Sequence, residues 1–569
     1  MATAENWVFT RPHRKLTYVP QTLTILMSVA QGKTWARQRD IHIDFENRLD
    51  AAGYKRGGDY LDRKRASQEQ RENNYKAWNR GGGGGRTHQT LLEALGLMVH
   101  YYDRNTEYAS RKEREENSVV LPTLAGQELL NREDPRPILT RQVLAHQFPS
   151  AYSINPNVNI SDRFRLRPAV LILKLLKHPE LGGYLTDLEI GVCAVPYGEK
   201  HTDQEANRIA RKILAWREHN VRSLPENFRA QYDRLKERHK RYPEVPMTLV
   251  GYADTLMKWI DYTGFTVPST TADGEPCSVL NESMNEEIEQ AIIEWGTRPL
   301  LDVDPNDPQV FQRKYGVTLN HSRDTRRLGD STGVTPLERD RLNVLGVLQF
   351  EFRTNIITSI SAQLVEEVAD KTGLEVSRTE SILRELLPTP EDGLTPFLRT
   401  YRDMAFLGTE EATTFEKATD EIFREVFSLG SKHVGQAGDR RMPDVEVWSD
   451  NPQWFGIVDT KAYSRYDLPS DHQLRMQGYV EKYRRQLASA NQILNFFMYI
   501  AGGFAPSINN RMKTVGDATG IGYCAVNILT WITLIERFSQ SSKSGSDLLW
   551  LFTLNREVLL ADIEQFLNN

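Results

Sequence analysis

Apolar positions along the chain follow two different rhythms, and the change between them divides it. Over roughly the first 390 residues they recur at three- and four-residue intervals, the spacing that puts side chains on one face of a helix. Leu23, Ile25, Leu26 and Val29 predict a first helix, and Gly32-Lys33-Thr34-Trp35 opens a second through Arg37, Ile41, Phe45 and Leu49. Leu91, Leu95 and Met98 mark one face of a further helix; Val119 to Pro122 reads as a short strand and Leu124 to Leu130 as a helix. A helix from Ile138 to His146 stops at Phe148-Pro149. Val170, Leu171, Leu173, Leu175 and Leu176 form a strongly apolar one after Pro168. Gly182-Gly183 and the capping box Thr186-Asp187-Leu188-Glu189 follow it, which is the arithmetic of a helix–turn–helix. Gln204 to Arg217 is helical, Tyr252, Leu256, Trp259 and Ile260 share a face, and residues 279–296 and much of 335–390 continue the pattern. Pro388, Pro390, Gly393 and Pro396 then punctuate the chain.

Beyond them the rhythm shortens. A helix from Thr413 to Phe427 leads into a polar, glycine-containing approach over 430–442 with Lys432 and His433. Val445-Glu446-Val447-Trp448 alternates as a strand, Ser449 to Pro452 supplies turn residues, and Phe455 to Val458 is a buried-looking strand ending in Asp459-Thr460-Lys461. A helix from Asp471 to about Ala488, strands at Phe496 to Ala501 and Gly522 to Ile528, and helices around 529–538 and 555–567 complete the order. The expected fold is multidomain. Residues 1–245 form a mostly α region with helix–turn–helix or winged-helix modules, 246–335 a second small winged-helix-like module, and 336–394 a helical linker. Residues 395–569 form an α/β domain with a central mixed sheet.

With 569 residues, 26% charged and 39% hydrophobic, the chain is globular and long enough for two to four domains. It has no apolar run of membrane-spanning length. Its polar start, with Trp7 already present, is not a signal peptide, and Cys193, Cys277 and Cys524 stand too far apart for a zinc motif or a disulfide framework. A reducing cytoplasm is the expected location.

The net charge of −5 hides an asymmetry: residues 1–250 hold 40 Lys and Arg against 30 Asp and Glu, and the remainder 31 against 46. A basic first half implies a polyanionic partner. Residues 51–86 interleave basic side chains with Tyr54, Tyr60, Tyr75 and Trp78 beside the run Gly81–Gly85, a composition suited to phosphate contact and groove insertion. Arg63, Lys64, Arg65, Arg80 and Arg86, with Arg163 and Arg165 before Pro168, are the candidate DNA contacts. Gly32-Lys33-Thr34 is not a P-loop, because Met27 stands where the first glycine belongs.

The chemistry concentrates in the hairpin. Asp459 and Lys461 share a strand face, and a hairpin brings Asp444 beside them. Two carboxylates suit a hard divalent cation, and an ammonium beside them suits an attacking hydroxide or a phosphate oxygen.

Pro443-Asp444, Asp459-Thr460-Lys461 and Glu416 on the preceding helix resemble the PD-(D/E)xK nuclease superfamily. Gly456 to Ser464 with Tyr466 and Leu468-Pro469, Lys432-His433, Met476-Gln477 and Tyr479 to Glu481 are similar to the FokI cleavage domain. Trp7 to Pro12, Gly32 to Trp35, Phe148 to Ser150, Pro168 to Leu176, Leu185 to Ile190 and Tyr252 to Phe265 resemble type IIS restriction endonucleases of the AlwI/MlyI/PleI kind and their nicking relatives.

The resemblance implies Asp444 and Asp459 as metal ligands, Lys461 as the group that positions the attacking water, and Glu416 as an auxiliary acid with Glu421 as its rival. It implies Mg²⁺, duplex DNA cut at a fixed distance outside an asymmetric site, and a bacterial cytoplasm with a companion methyltransferase. It further implies a monomer that pairs transiently on DNA through the helix after the lysine. That helix departs from the family, carrying Leu474 and Gly478 instead of a charge pair, so single-strand nicking, or service as the large subunit of a heterodimeric enzyme, stays open beside double-strand cutting. A DNA-binding regulator with an inactive nuclease fold is the remaining alternative.

Overall fold

The computed structural model describes residues 2–8, 16–54, 83–131, 134–151, 153, 158–232, 239, 241–271, 273, 275–304, 306–331, 333–389, 391–408, 411–435, 442–463, 465–489 and 492–568. The basic and aromatic stretch containing Arg63, Lys64, Arg65 and Arg80 lies outside them, as do Phe9 to Pro12, Pro390, Arg441 and Ser464. The chain divides into two compact units. The first comprises Met1–Thr266, Thr270–Phe350 and Ile360–Leu386; the second comprises Val267–Ser269, Glu351–Ser359 and Leu387–Asn569.

The first unit is mostly helical. Its spine is the 17-residue helix Met247–Thr263, ended by Gly264 in a left-handed conformation (φ +82°) that a glycine adopts without strain. Leu249, Leu256, Trp259 and Ile260 are buried on it, and it packs against Arg136–Ala145 and the wide turn Ile190–Ala194. The capping box forms as expected: Thr186 Oγ1 accepts from Glu189 N at 3.1 Å, and Glu189 Oε2 accepts from Thr186 N at 2.8 Å. One expectation needs correction. The second helix starts at Arg39, because Gly32 N donates to Val120 O and Lys33 O accepts from Val120 N, so this segment extends a strand edge instead. Gly83 to Gly85, part of the glycine run beside the basic and aromatic stretch, begin the helix Gly83–Ala94.

The second unit is a three-layer α/β/α sandwich. Helices α1 (Glu391–Met404) and α2 (Ala412–Glu421) come first. Strands β1 (Gly430–His433), β2 (Val445–Asp450) and β3 (Gln453–Lys461) follow, then α3 (Ser470–Ser489), β4 (Leu494–Ala501), α4 (Ile508–Thr519), β5 (Gly522–Asn527), α5 (Ile528–Phe538), β6 (Arg556–Glu557) and α6 (Leu560–Asn568). The strands line up in the order β6-β5-β4-β3-β2-β1. β1, β2 and β3 pair antiparallel, and β3 to β6 pair parallel, so the sheet is mixed.

Alternation along β3 and β4 sends side chains into two separate cores. Val458, Phe496, Met498 and Ile500 pack with Phe415, Phe423 and Trp531 on one face. Ile457, Phe497 and Tyr499 pack with Met476, Tyr479, Tyr483 and Met512 on the other. Beyond Ile457 the second face continues into Asp459, a polar residue at the end of a buried strand.

Three readings change here. The polar approach contains strand β1, which pairs with β2. The segment after β4 contains helix α4, an element additional to the expected order. Gly393 and Pro396, read as punctuation between elements, lie inside α1. Gly393 is required there by close approach: a Cβ would sit 1.7 Å from Ile357 O.

Candidate active site

The hairpin holds its acid by its own backbone. Val458 pairs with Val445 across β2 and β3, and Asp444 N donates to Val458 O at 3.1 Å. Asp444 O accepts from Val434 N and Gly435 N, which ties the loop after β1 to the same residue. The Asp444 carboxylate then turns back onto β3, where its Oδ2 accepts from Thr460 N at 2.7 Å and from Thr460 Oγ1 at 3.1 Å.

Lys461 lies between the two aspartates. Its Nζ is 2.5 Å from Asp459 Oδ2 and 3.9 Å from Asp444 Oδ2, and it donates to Thr460 O at 3.0 Å. The side chains of all three residues are at most 15% exposed, so little water screens them. Burial pushes the Asp444 carboxyl well above the ordinary carboxylate range, and the neighbouring charges of Asp459 and Glu416 push the same way against the pull of Lys461. Burial alone would lower the Lys461 ammonium; Asp459 and Asp444 outweigh it and hold the group above its usual value.

Glu416, on α2, reaches this cluster around Gly435. A Cβ at Gly435 would lie 2.6 Å from Glu416 Oε2 and 3.4 Å from Asp444 Oδ1, so both carboxylates face the space that glycine leaves open. Glu416 Oε2 also stands 2.8 Å from His433 Nε2. Glu421, the rival acid, is directed elsewhere: it pairs with Arg424 and accepts from Ile356 N at 3.3 Å. Tyrosines border the lysine side. Tyr466 Oη is 2.8 Å from His472 Nδ1, and burial with the charge of Asp459 pushes Tyr479 up to about 12, so both phenols stay neutral near the carboxylates.

The donor set fits a small hard cation. Two carboxylates face the Lys461 ammonium and a third, Glu416, faces Asp444, and the cost of ionising Asp444 falls when a cation sits beside it. Among the described residues no three His, Cys, Asp or Glu side chains form a metal cage by themselves. Mg²⁺ does not ask for one, since it is held through one or two carboxylates and keeps water and phosphate oxygens in its remaining positions. Asp444 and Asp459 are the residues that would hold it.

Residues 373–559 match the family model described as FokI, cleavage domain. The carboxyl-terminal unit, with its mixed sheet, is a FokI-like cleavage domain. Among solved structures, that of restriction endonuclease FokI is similar at 14% identity and a TM-score of 0.29, covering 97% of this chain and 99% of that one. FokI bound to DNA is similar at 13% identity and 0.28, covering 96% and 98%. The BpuJ1 endonuclease binding domain in complex with pyrene- and phenanthrene-modified DNA is similar at 13% identity and 0.31, covering 52% of this chain and 91% of that one. No curated protein matches the chain.

The candidate DNA contacts fare unevenly. Arg86 falls on the helix Gly83–Ala94. Arg163 is engaged within the chain, donating to Glu5 O at 2.7 Å and Pro196 O at 3.1 Å and pairing with Glu5 and Glu199. Its two terminal nitrogens are therefore already engaged, while its Nε is buried without a hydrogen-bond partner. Arg165 is exposed. Thr460, Gly435 and His433 join the FokI-like site without having been singled out for it. Only Lys432-His433 carried a signal, and strand register had to place it: His433 pairs with Val445, next to Asp444. Among the described residues no helix is long and apolar enough to cross a membrane.

Proposed function

We propose that the protein is a type IIS restriction endonuclease that hydrolyses phosphodiester bonds of duplex DNA outside a short asymmetric site. The observation that carries this reading is Lys461 held between Asp459 and Asp444 on a hairpin inside the segment that matches the FokI cleavage domain. Mg²⁺, when bound, supplies charge neutralisation at the phosphate and a water acidic enough to attack near neutral pH. Asp444 and Asp459 bind that ion, and the bonds from Thr460 keep Asp444 in one orientation. Lys461 holds its proton and donates to the attacking oxygen or to the non-bridging oxygen on which charge develops. Glu416 is the auxiliary acid, oriented by His433.

In this reading, residues 1–245 and 246–335 recognise DNA, with helix–turn–helix or winged-helix modules as readers, and 336–394 connect them to the catalytic part. Arg165, and outside the described residues Arg63, Lys64, Arg65 and Arg80, contact the DNA, as does Arg86. A bacterial cytoplasm and a companion methyltransferase complete the system.

A nicking activity is the second reading, and α3 favours it. Leu474 is 68% exposed, and a Cβ at Gly478 would meet open space, so these two positions offer no charge pair for a second copy. Supercoiled plasmid digested with Mg²⁺ and analysed by run-off sequencing tests both. Linear product with a fixed offset supports the first reading, and open circle alone supports the second. No cleavage with any divalent metal overturns both.

A further inference from the structure

The first unit contains a cavity of about 760 Å³ lined by Arg141, Arg167, Trp295, Arg298, Lys314 and His321. Three guanidiniums surround one indole: the centres of Arg141, Arg167 and Arg298 lie 5.6, 5.6 and 4.6 Å from the Trp295 ring centroid. Arg298 has a carboxylate partner, Glu294, at 2.6 Å. Among the described residues, Arg141 and Arg167 have none.

Arg167 is 3% exposed; it donates from Nη1 to Trp295 O and Arg298 O and from Nη2 to Pro299 O, and its Nε is buried without a partner. Arg141 is 9% exposed and, among the described residues, donates from Nη1 alone, toward Gln142 Oε1 and Tyr315 O. The carbonyls that Arg167 binds lie at the C-terminal end of the helix Asn285–Thr297, whose partial negative charge offsets only part of the cation. Two buried cations without a counter-ion are costly unless something anionic comes to them. Glu294 and Glu128 offset part of the Arg141 charge without forming an ion pair with it; Glu294 is paired with Arg298, and Glu287 is exposed.

We propose that this cavity is a phosphate-binding site, with Arg141 and Arg167 as its buried cations and Arg298 and Lys314 at its mouth. Guanidinium forks match the oxygens of a phosphate, and stacking on Trp295 holds their planes in place before the anion arrives. The phosphate comes either from the DNA backbone or from a free phosphate compound. Only the backbone source rests on the DNA reading above.

The test uses the full chain and the variants Arg141→Gln and Thr140→Glu. Thr140 lines the same cavity, and a carboxylate there competes for the arginines without removing their packing. Inorganic pyrophosphate is titrated at constant ionic strength while Tm is followed, and duplex binding is measured by anisotropy across salt concentrations. Circular dichroism establishes that each variant is folded.

A saturable rise in Tm for the wild type, weakened about tenfold or more in both variants, is the expected result. Weaker duplex binding in both variants, with a salt slope smaller by about one, assigns the site to a backbone phosphate. Unchanged duplex binding assigns it to a free phosphate. No saturable response to pyrophosphate, with duplex binding equal in wild type and Thr140→Glu, overturns the proposal. Cleavage is not the readout, so an inactive nuclease leaves the pyrophosphate result decisive.

Discussion

His433 Nε2 sits 2.8 Å from Glu416 Oε2, joining the edge strand of the cleavage domain to the helix before it. The contact holds Glu416 at the opening beside Gly435 that Asp444 also faces. It follows that His433 acts through Glu416. His433→Ala and Glu416→Gln should each lower single-turnover cleavage by about 10- to 100-fold and raise the Mg²⁺ concentration needed for half-maximal rate. A rate and metal dependence equal to wild type in His433→Ala would remove the histidine from the site.

Lys461→Ala should cost about 10²- to 10³-fold in cleavage rate, the scale of one donor aimed at developing charge. Asp459→Asn should be at least as damaging. Both variants should bind duplex DNA within about twofold of wild type, since both residues belong to the second unit. Plasmid cleavage beside anisotropy separates the two properties.

Asp444 predicts a conflict between activity and stability. Its carboxyl is raised by burial first and by Asp459 second, so its ionised form opposes folding. For a raised carboxyl, the stabilising contribution is complete below the unfolded value near 3.9 and is lost as pH rises toward the folded value. Asp444→Asn keeps an acceptor for Thr460 and removes the charge. At pH 7 it should raise Tm by a few degrees, about 2–4 °C for each kcal/mol, while abolishing cleavage. Mg²⁺ should stabilise the wild type and not the variant. A variant less stable than wild type in metal-free buffer contradicts this account.

Acid sensitivity of the first unit has the opposite sign. Burial lowers His146 to about 4 and, with Arg167 nearby, His201 to about 4. Both are neutral in the fold and charge in the unfolded chain near 6.5. Their contribution is therefore present above 6.5 and is lost as pH falls toward 4. For the fully buried His146 this is on the order of 2–3 kcal/mol by pH 4. Urea denaturation at pH 7, 6 and 5 reads the loss, and His146→Gln should flatten it. An unchanged slope in that variant would place the titration elsewhere.

Leu474 tests how strands are cut. If copies pair through α3, Leu474→Asp should suppress linear product while leaving open circle, because a desolvated carboxylate at an apolar contact is costly. Equal linear product from both proteins means α3 does not form the contact.

The sequence by itself determined the hairpin and much of its chemistry. Side chains alternate along a strand, so Asp459 and Lys461 had to share a face, and the turn after Trp448 had to return the chain beside Asp444. These are relations over a few residues, governed by backbone geometry alone. It also marked the apolar strands at 455–458 and 496–501, whose runs are long enough to read without a partner.

Tertiary structure decided the rest. His433 reaches Glu416 only because β1 pairs with β2 in one register, and no local preference encodes that choice. Gly393 and Pro396 look like punctuation until the close approach of Ile357 O shows a glycine needed inside α1. Arg141, Arg167 and Trp295 come from three elements separated by up to 154 positions in the chain. Each arginine reads alone as a surface charge. Their burial around one ring is a property of helix packing, set by apolar contacts elsewhere in the unit.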